Sequence, residues 1–318
     1  MEWKKLPKVV VIGGGTGLPV LLRGLKRYPI DITAIVTVAD DGGSSGRLRT
    51  DLDIPPPGDI RNVLAALSEV EPLVEGLFQH RFKNNGNDLS GHALGNLLLA
   101  AMTTLTGDFV SAIREMSRVL NVKGKVLPAA NRGIILHAEF ADGAIVTGES
   151  KIPAEKKKIN RVFLTPEDVE PLSETLTELQ KADIIVIGPG SLYTSILPNL
   201  LVQKISHELC HSNAKKIYVC NVMTQAGETM GYTASDHVKA LYDHLKCAFL
   251  DMIIVNDTEI PADVLVRYER ENAEPVLYDH EKLQKYGLKI INRDLVHIEN
   301  GVIRHDTEKI AKLIYSLI

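Results

Sequence analysis

Cysteine is scarce in this chain, three in 318 residues, and no apolar run reaches the length needed to cross a bilayer. Cys210, Cys220 and Cys247 are odd in number, widely spaced and set among apolar or strand-like neighbours. That pattern predicts buried thiols, and it excludes a disulfide framework or a sulfur-bound metal. An excess of charge of one sign is also missing. A net charge of −4 leaves no basic field for nucleic acid or an anionic membrane surface, and Lys156-Lys157-Lys158 reads as a solvated loop. The N-terminal Met1-Glu2-Trp3-Lys4-Lys5 runs into the first strand too soon for a signal peptide, so the expectation is a cytoplasmic protein without membrane insertion. No Gly-Lys-Ser/Thr completes a Walker loop, and no Gly-x-Ser-x-Gly elbow, metalloprotease helix or paired Cys–His signature occurs. Repeats and low-complexity segments are lacking too.

What is present is a chain 45% hydrophobic, long enough for one large α/β domain with a deep core. Its most informative stretch is Lys8-Val9-Val10-Val11-Ile12-Gly13-Gly14-Gly15-Thr16-Gly17-Leu18, followed by a helical pattern through Val20, Leu21, Leu22 and Leu25. A buried-type strand, a glycine turn and a helix in that order bring backbone N–H groups and a helix N-terminus to one point, which suits a phosphate. Gly13 and Gly15 fit the first two glycines of G-x-G-x-x-G, but Leu18 holds the third position.

The β-branched run Ile32–Val38 predicts a second strand leading into a long functional loop from Ala39 to Gly58, with Asp59 as N-cap of the helix through Val63, Leu64 and Leu67. Helical patterns follow over 73–82, 92–104 and 109–120, then short β-type runs with glycine turns, which place a small β-rich insertion at 122–165. Near-continuous apolar strands return at Asp183–Ile187, Lys216–Cys220, Met252–Val255 and Lys289–Ile291, and the last helix covers 307–318. Such strands need cover on both faces. The predicted architecture is a Rossmann-like three-layer α/β sandwich with a mostly parallel sheet, one domain over 1–318.

In that architecture the loops after the strands open on one crevice. Four marked loops fall there: 13–17, 39–58, 188–195 and 221–234. Asp40 and Asp41 suit sugar hydroxyls, a Mg²⁺ ion beside a phosphate, or a turn in which they accept backbone N–H groups. Gly188, Pro189, Gly190, Ser191, Thr194 and Ser195 form a second phosphate-type loop. His92 and Asn96, four apart on a predicted helix, aim at one point. Asn221, Thr224, Gln225 and Glu228 crowd the fourth loop, where Glu228 suits an acid or a metal ligand but one carboxylate without a visible partner is weak evidence for catalysis.

Five ordered blocks, 13–18, 38–49, 56–62, 91–97 and 188–195, resemble the bacterial gluconeogenesis factor family (YvcK-like) over nearly the whole chain. That family is similar to 2-phospho-L-lactate transferase of the CofD-like superfamily. The resemblance implies a cytoplasmic, nucleotide-binding protein needed for normal cell shape and growth on gluconeogenic carbon. It implies UDP-sugars such as UDP-N-acetylglucosamine as ligands, and no required cofactor or established reaction. By position it implies ligand contacts from Tyr268 and Arg304; the reading of the loops adds Gly13, Gly14, Gly15, Thr16, Gly17, Asp59, Asn62, His92, Asn96, Gly188, Pro189, Gly190, Ser191, Thr194, Asn221, Thr224 and Gln225 as candidate ligand-binding residues. A tyrosine face can stack on a base, and a guanidinium can pair with a diphosphate.

Three readings follow. The first is a UDP-sugar-binding regulator that reports to partner proteins. The second is a transferase of the phospholactyl type using Mg²⁺ at Asp40 or Asp41, from whose pattern the Asp-Asp-Gly-Gly-Ser-Ser run departs. The third is a binder of NAD or another dinucleotide. A homo-oligomer stays open.

Overall fold

The computed structural model describes residues 5–70, 72–83, 86, 88–299 and 301–318; the Met1–Lys4 stretch weighed above as a leader lies outside them. Seven strands form a wholly parallel sheet: β1 (Lys8–Gly13), β2 (Asp31–Val36), β3 (Lys125–Pro128), β7 (Ile184–Ile187), β8 (Lys215–Val219), β9 (Met252–Asn256) and β10 (Lys289–Arg293). Their spatial order is β10-β9-β8-β7-β1-β2-β3. Apolar runs without alternation make β1, β2, β7, β8 and β9 interior strands, since both faces must be covered, and β3 and β10 form the two edges. Val9, Val10, Val11 and Ile12 are all 1% exposed or less. Each such side chain contributes roughly 1.5–3 kcal/mol of transfer free energy.

The chain runs outward from β1 through β2 to β3, then returns to β7 beside β1 and runs outward the other way. The order therefore reverses between β1 and β7, and loops leaving those two strands part to opposite sides and leave a crevice. Helix α1 (Gly17–Leu25) follows β1 directly. Leu18, Leu21, Leu22 and Leu25 form its buried stripe, and Pro19 is tolerated because it lies in the first turn, where no intrahelical N–H bond is lost.

Three differences from the sequence reading have physical causes. Much of the predicted loop 39–58 is helix α2 (Gly43–Leu52), a poor helix former with two glycines that is held by tertiary contacts. Arg47 in it donates to the carbonyls of Ser90 (2.7 Å) and Asp88 (2.9 Å). Within 122–165, β3 is the edge of the main sheet, whereas β4 (Ile135–Phe140), β5 (Ile145–Thr147) and β6 (Ile159–Thr165) make a separate antiparallel sheet. A hairpin that periodicity did not signal, β11 (Val296–Glu299) and β12 (Val302–His305), precedes the final helix Thr307–Ser316.

Cys210 and Cys247 are joined as a disulfide with Cα atoms 6.2 Å apart, which corrects the expectation of three thiols; Cys220 is free and buried. Two helix ends far apart in sequence meet there, and spacing alone does not reveal such a meeting. Among the described residues no single helix is long and apolar enough to cross a membrane.

Candidate functional site

The crevice at the reversal of strand order holds a cleft of about 430 Å³. Its walls come from the β1–α1 turn (Thr16, Gly17), the loop after β7 (Pro189, Gly190, Ser191, Ser195) and the loop after β8 (Asn221 to Ala226). Tyr268 and Arg304 stand among the remaining lining residues. Three of the four marked loops thus share one cavity. The fourth, with Asp40, Asp59, Asn62 and Asn96, opens on a neighbouring recess of about 280 Å³.

Two glycines make the close approach possible. A Cβ on Gly17 would lie 2.7 Å from the Pro189 carbonyl oxygen, and one on Gly14 would lie 2.5 Å from Thr37 Cγ2 and 2.7 Å from Asp59 Oδ2. The turn is tied on both sides. The Gly15 N–H donates to Asp59 Oδ2 (2.9 Å), while Asn199, wholly buried, donates from Nδ2 to the Gly13 carbonyl (3.1 Å) and the Ser195 carbonyl (2.8 Å). Gly188 and Gly13 lie behind the rim and do not line the cleft.

After β7 the chain opens its helix with a widened turn. The N–H groups of Ser195 and Ile196 both donate to the Ser191 carbonyl, at 3.0 and 2.9 Å. A π-type turn of this kind recurs at functional sites. Glu228 braces it from beneath, accepting from the Tyr193 N–H (3.2 Å) and the Thr194 hydroxyl (3.0 Å). Thr194 is therefore occupied with bracing and does not face the cleft. Gln225 bridges the loops, donating to Ser191 Oγ (2.7 Å) and accepting from Asn221 Nδ2 (3.3 Å). The Tyr268 hydroxyl accepts from the Ile303 N–H (2.7 Å), which ties the helix Ala262–Arg270 to the hairpin next to exposed Arg304.

Asp59 is not an N-cap. Its helix, α3, spans Gly58–Leu67 after Pro57, so Asp59 lies inside the first turn and reaches across to Gly15. Asp40 accepts from the Gly42 N–H (2.9 Å), and Asp41 accepts from the Ser150 N–H (2.8 Å), tying the segment ahead of α2 to the turn after β5. His92 and Asn96 do converge, but on Ser44 Oγ (2.9 and 3.0 Å), and His92 precedes the helix Leu94–Thr106 that was expected to carry it.

The electrostatics around the turn are acidic. Burial pushes Asp59 up to about 6 against the Gly15 hydrogen bond, and it pushes Glu228 up to about 7. Glu149 rises to about 8 through burial and the neighbouring Asp40, Asp59, Glu228 and Asp41. Sequence reading missed Glu149 and Asn199, which carry no local motif, and Arg61, which lies in the 56–62 block but was not singled out there. Among the described residues no three His, Cys, Asp or Glu side chains gather to hold a metal alone. A Mg²⁺ ion at Asp40 would need ligand phosphates and water to complete its shell, as Mg²⁺ sites beside nucleotides commonly do.

Comparison with known proteins gives concordant results. The family model described as 2-phospho-L-lactate transferase CofD matches residues 9–296. The chain is 64% identical over 312 residues to the gluconeogenesis factor of Bacillus subtilis, covering 98% of each, and 63% identical over 310 residues to that of Halalkalibacterium halodurans, covering 98% of this chain and 96% of that one. A crystal structure of a Bacillus halodurans protein superposes with a TM-score of 0.96 at 62% identity, covering 98% of this chain and 100% of that one.

Proposed function

Because this chain belongs to the gluconeogenesis factor family, related to the CofD transferases, we propose that it is a cytoplasmic regulator that binds a nucleotide sugar, such as UDP-N-acetylglucosamine. Its occupancy would report precursor supply to partner proteins in gluconeogenic growth and cell shape. One observation carries the reading: the β1 and β7 turns face each other across the reversal of the sheet, with Tyr268 and Arg304 over the same cleft. Backbone N–H groups at Thr16, Gly17 and Gly190 suit a diphosphate, and Arg304 suits its outer oxygens. With its hydroxyl committed to Ile303, Tyr268 has its ring face left to offer a base.

Calorimetry against UDP-N-acetylglucosamine, NAD and GDP, each with and without Mg²⁺, tests this. The nucleotide sugar binds tightest, and Arg304→Ala weakens it by about 1.5–3 kcal/mol, the range for a hydrogen bond to a charged group. Tighter binding of GDP with Mg²⁺, and none of the nucleotide sugar, sinks the reading. A second reading, phospholactyl-type transfer, is favoured by the acidic pair Asp40 and Asp59 beside the turn. It requires product formation that Asp40→Ala abolishes.

A further inference from the structure

The disulfide found among the described residues sits where the fold does not need a staple. Small domains without a sufficient core depend on such bonds, whereas this chain buries the interior strands of a seven-stranded sheet on both faces. Cys210 lies in the last turn of the helix Gln203–His211, and Cys247 lies two residues beyond the helix Ala234–Leu245. Both are half-buried, within reach of a small thiol, while Cys220 is buried. In a chain proposed above to work in the cytoplasm, whose thiol pool keeps cysteines reduced, a bond of this kind is transient and reports redox state.

The segment it closes is part of the cleft. The 37-residue separation encloses β8 and the loop whose residues Asn221 to Ala226 form one wall. That loop leads into the helix Ala234–Leu245, whose far end carries the Cys247 anchor. The helix and its approach also support the π-type turn after β7: the Tyr232 and Tyr193 hydroxyls meet at 2.7 Å, and the His244 ring stands edge-on to Tyr193 at 5.9 Å. Lys246, between the helix and Cys247, holds the left-handed conformation (φ 59°), which a residue with a side chain keeps only where its surroundings impose it. The bond to Cys210 is a covalent restraint of that kind, and opening it releases this end of the helix.

We propose that Cys210 and Cys247 are a reversible redox switch that sets the mobility of the cleft wall after β8. In the oxidising direction one cysteine thiolate attacks a sulfur of a small disulfide, whose S–S bond breaks and releases a thiolate. The second cysteine thiolate then attacks the protein sulfur of the mixed disulfide, forming the Cys210–Cys247 bond and releasing the other small thiolate. Two electrons pass to the small disulfide, and the two cysteine protons end on the released thiols. Reduction by a small dithiol runs the same steps backwards. Oxidised, the staple holds the helix against its neighbour; reduced, the loop 221–234 and the helix after it open more often. The switch needs no particular ligand, so its failure and that of the nucleotide-sugar reading are separate outcomes.

The test compares the full chain after equilibration with oxidised and with reduced dithiothreitol. Thiol counting under native conditions should find two reactive thiols per chain after reduction and none after oxidation, with Cys220 reacting only in denaturant. Amide hydrogen exchange across 221–245 should be at least about tenfold faster in the reduced chain, with β1 and β2 unchanged. Cys210→Ser and Cys247→Ser, near-isosteric changes at half-buried positions, should each exchange like the reduced parent in either buffer. If one serine variant fails to fold, the other variant and the redox comparison on the parent still decide. Thiols that stay unreactive without denaturant, exchange over 221–245 that is the same in both redox states, or a folded serine variant that exchanges like the oxidised parent overturns the proposal.

Discussion

Asp59 shows how one side chain can serve a contact that its sequence neighbours do not announce. Its position ahead of an apolar helical pattern predicts a cap, because sequence shows only residues close in the chain. The carboxylate instead holds Gly15, 44 residues away, and its burial pushes its pKa to about 6. Two substitutions separate its roles. Asp59→Asn keeps an acceptor for the Gly15 N–H and removes a charge that is costly to bury, so stability at pH 7.5 rises or holds in urea denaturation. Asp59→Ala leaves the Gly15 N–H without its acceptor and costs about 1–3 kcal/mol. If the alanine variant is as stable as the parent chain, the hydrogen bond to Gly15 contributes nothing to the turn. Arg61 was illegible for the same reason: an arginine reads as a surface residue until the fold surrounds it.

At the scale of elements, legibility followed local pattern. Six of the seven strands of the parallel sheet were readable because continuous apolar, β-branched runs allow little else, whereas the short edge strand β3 was read into the insertion; α1 was readable because four leucines repeat at helical spacing. Helix α2 was not, since its composition favours a loop and its partners Ser90, His92 and Asn96 lie about 45–50 residues further along. The β11–β12 hairpin was hidden too, although the residue that matters on it, Arg304, was reached through the family resemblance. The turn and the β7 loop act as one element because Gly17 has no side chain. In Gly17→Ala the new methyl would stand 2.7 Å from the Pro189 carbonyl oxygen, backbone against backbone, so one loop must move. Such overpacking costs about 1–3 kcal/mol. The variant should keep the far-ultraviolet circular dichroism of the parent while losing ligand affinity in calorimetry; unaltered affinity would show that the two loops need not meet.

On the scale of the whole molecule, loops gathered from distant parts of the chain put Asp59, Glu228 and Glu149 around one glycine turn, with pKa values pushed to about 6, 7 and 8 from ordinary values of 3.8, 4.5 and 4.5. In each case the folded state holds its proton where the unfolded chain has released it. The folded state therefore binds more protons between about pH 4 and 8, and unfolding free energy falls as pH rises through that window. This is the reverse of a protein whose carboxylates are held by salt bridges. Each group adds a slope of up to about 1.4 kcal/mol per pH unit within its own interval. Glu228→Gln flattens the interval from about 4.5 to 7, because the amide can still accept from the Tyr193 N–H and donate to the Thr194 hydroxyl. Glu149→Gln flattens the interval from about 4.5 to 8. Urea denaturation from pH 4.5 to 8.5 on the parent and the two variants measures all three slopes. A parent chain whose stability climbs steadily over that range would mean that these carboxylates are ionised and solvated, and the turn they surround would then be a poor place for a phosphate.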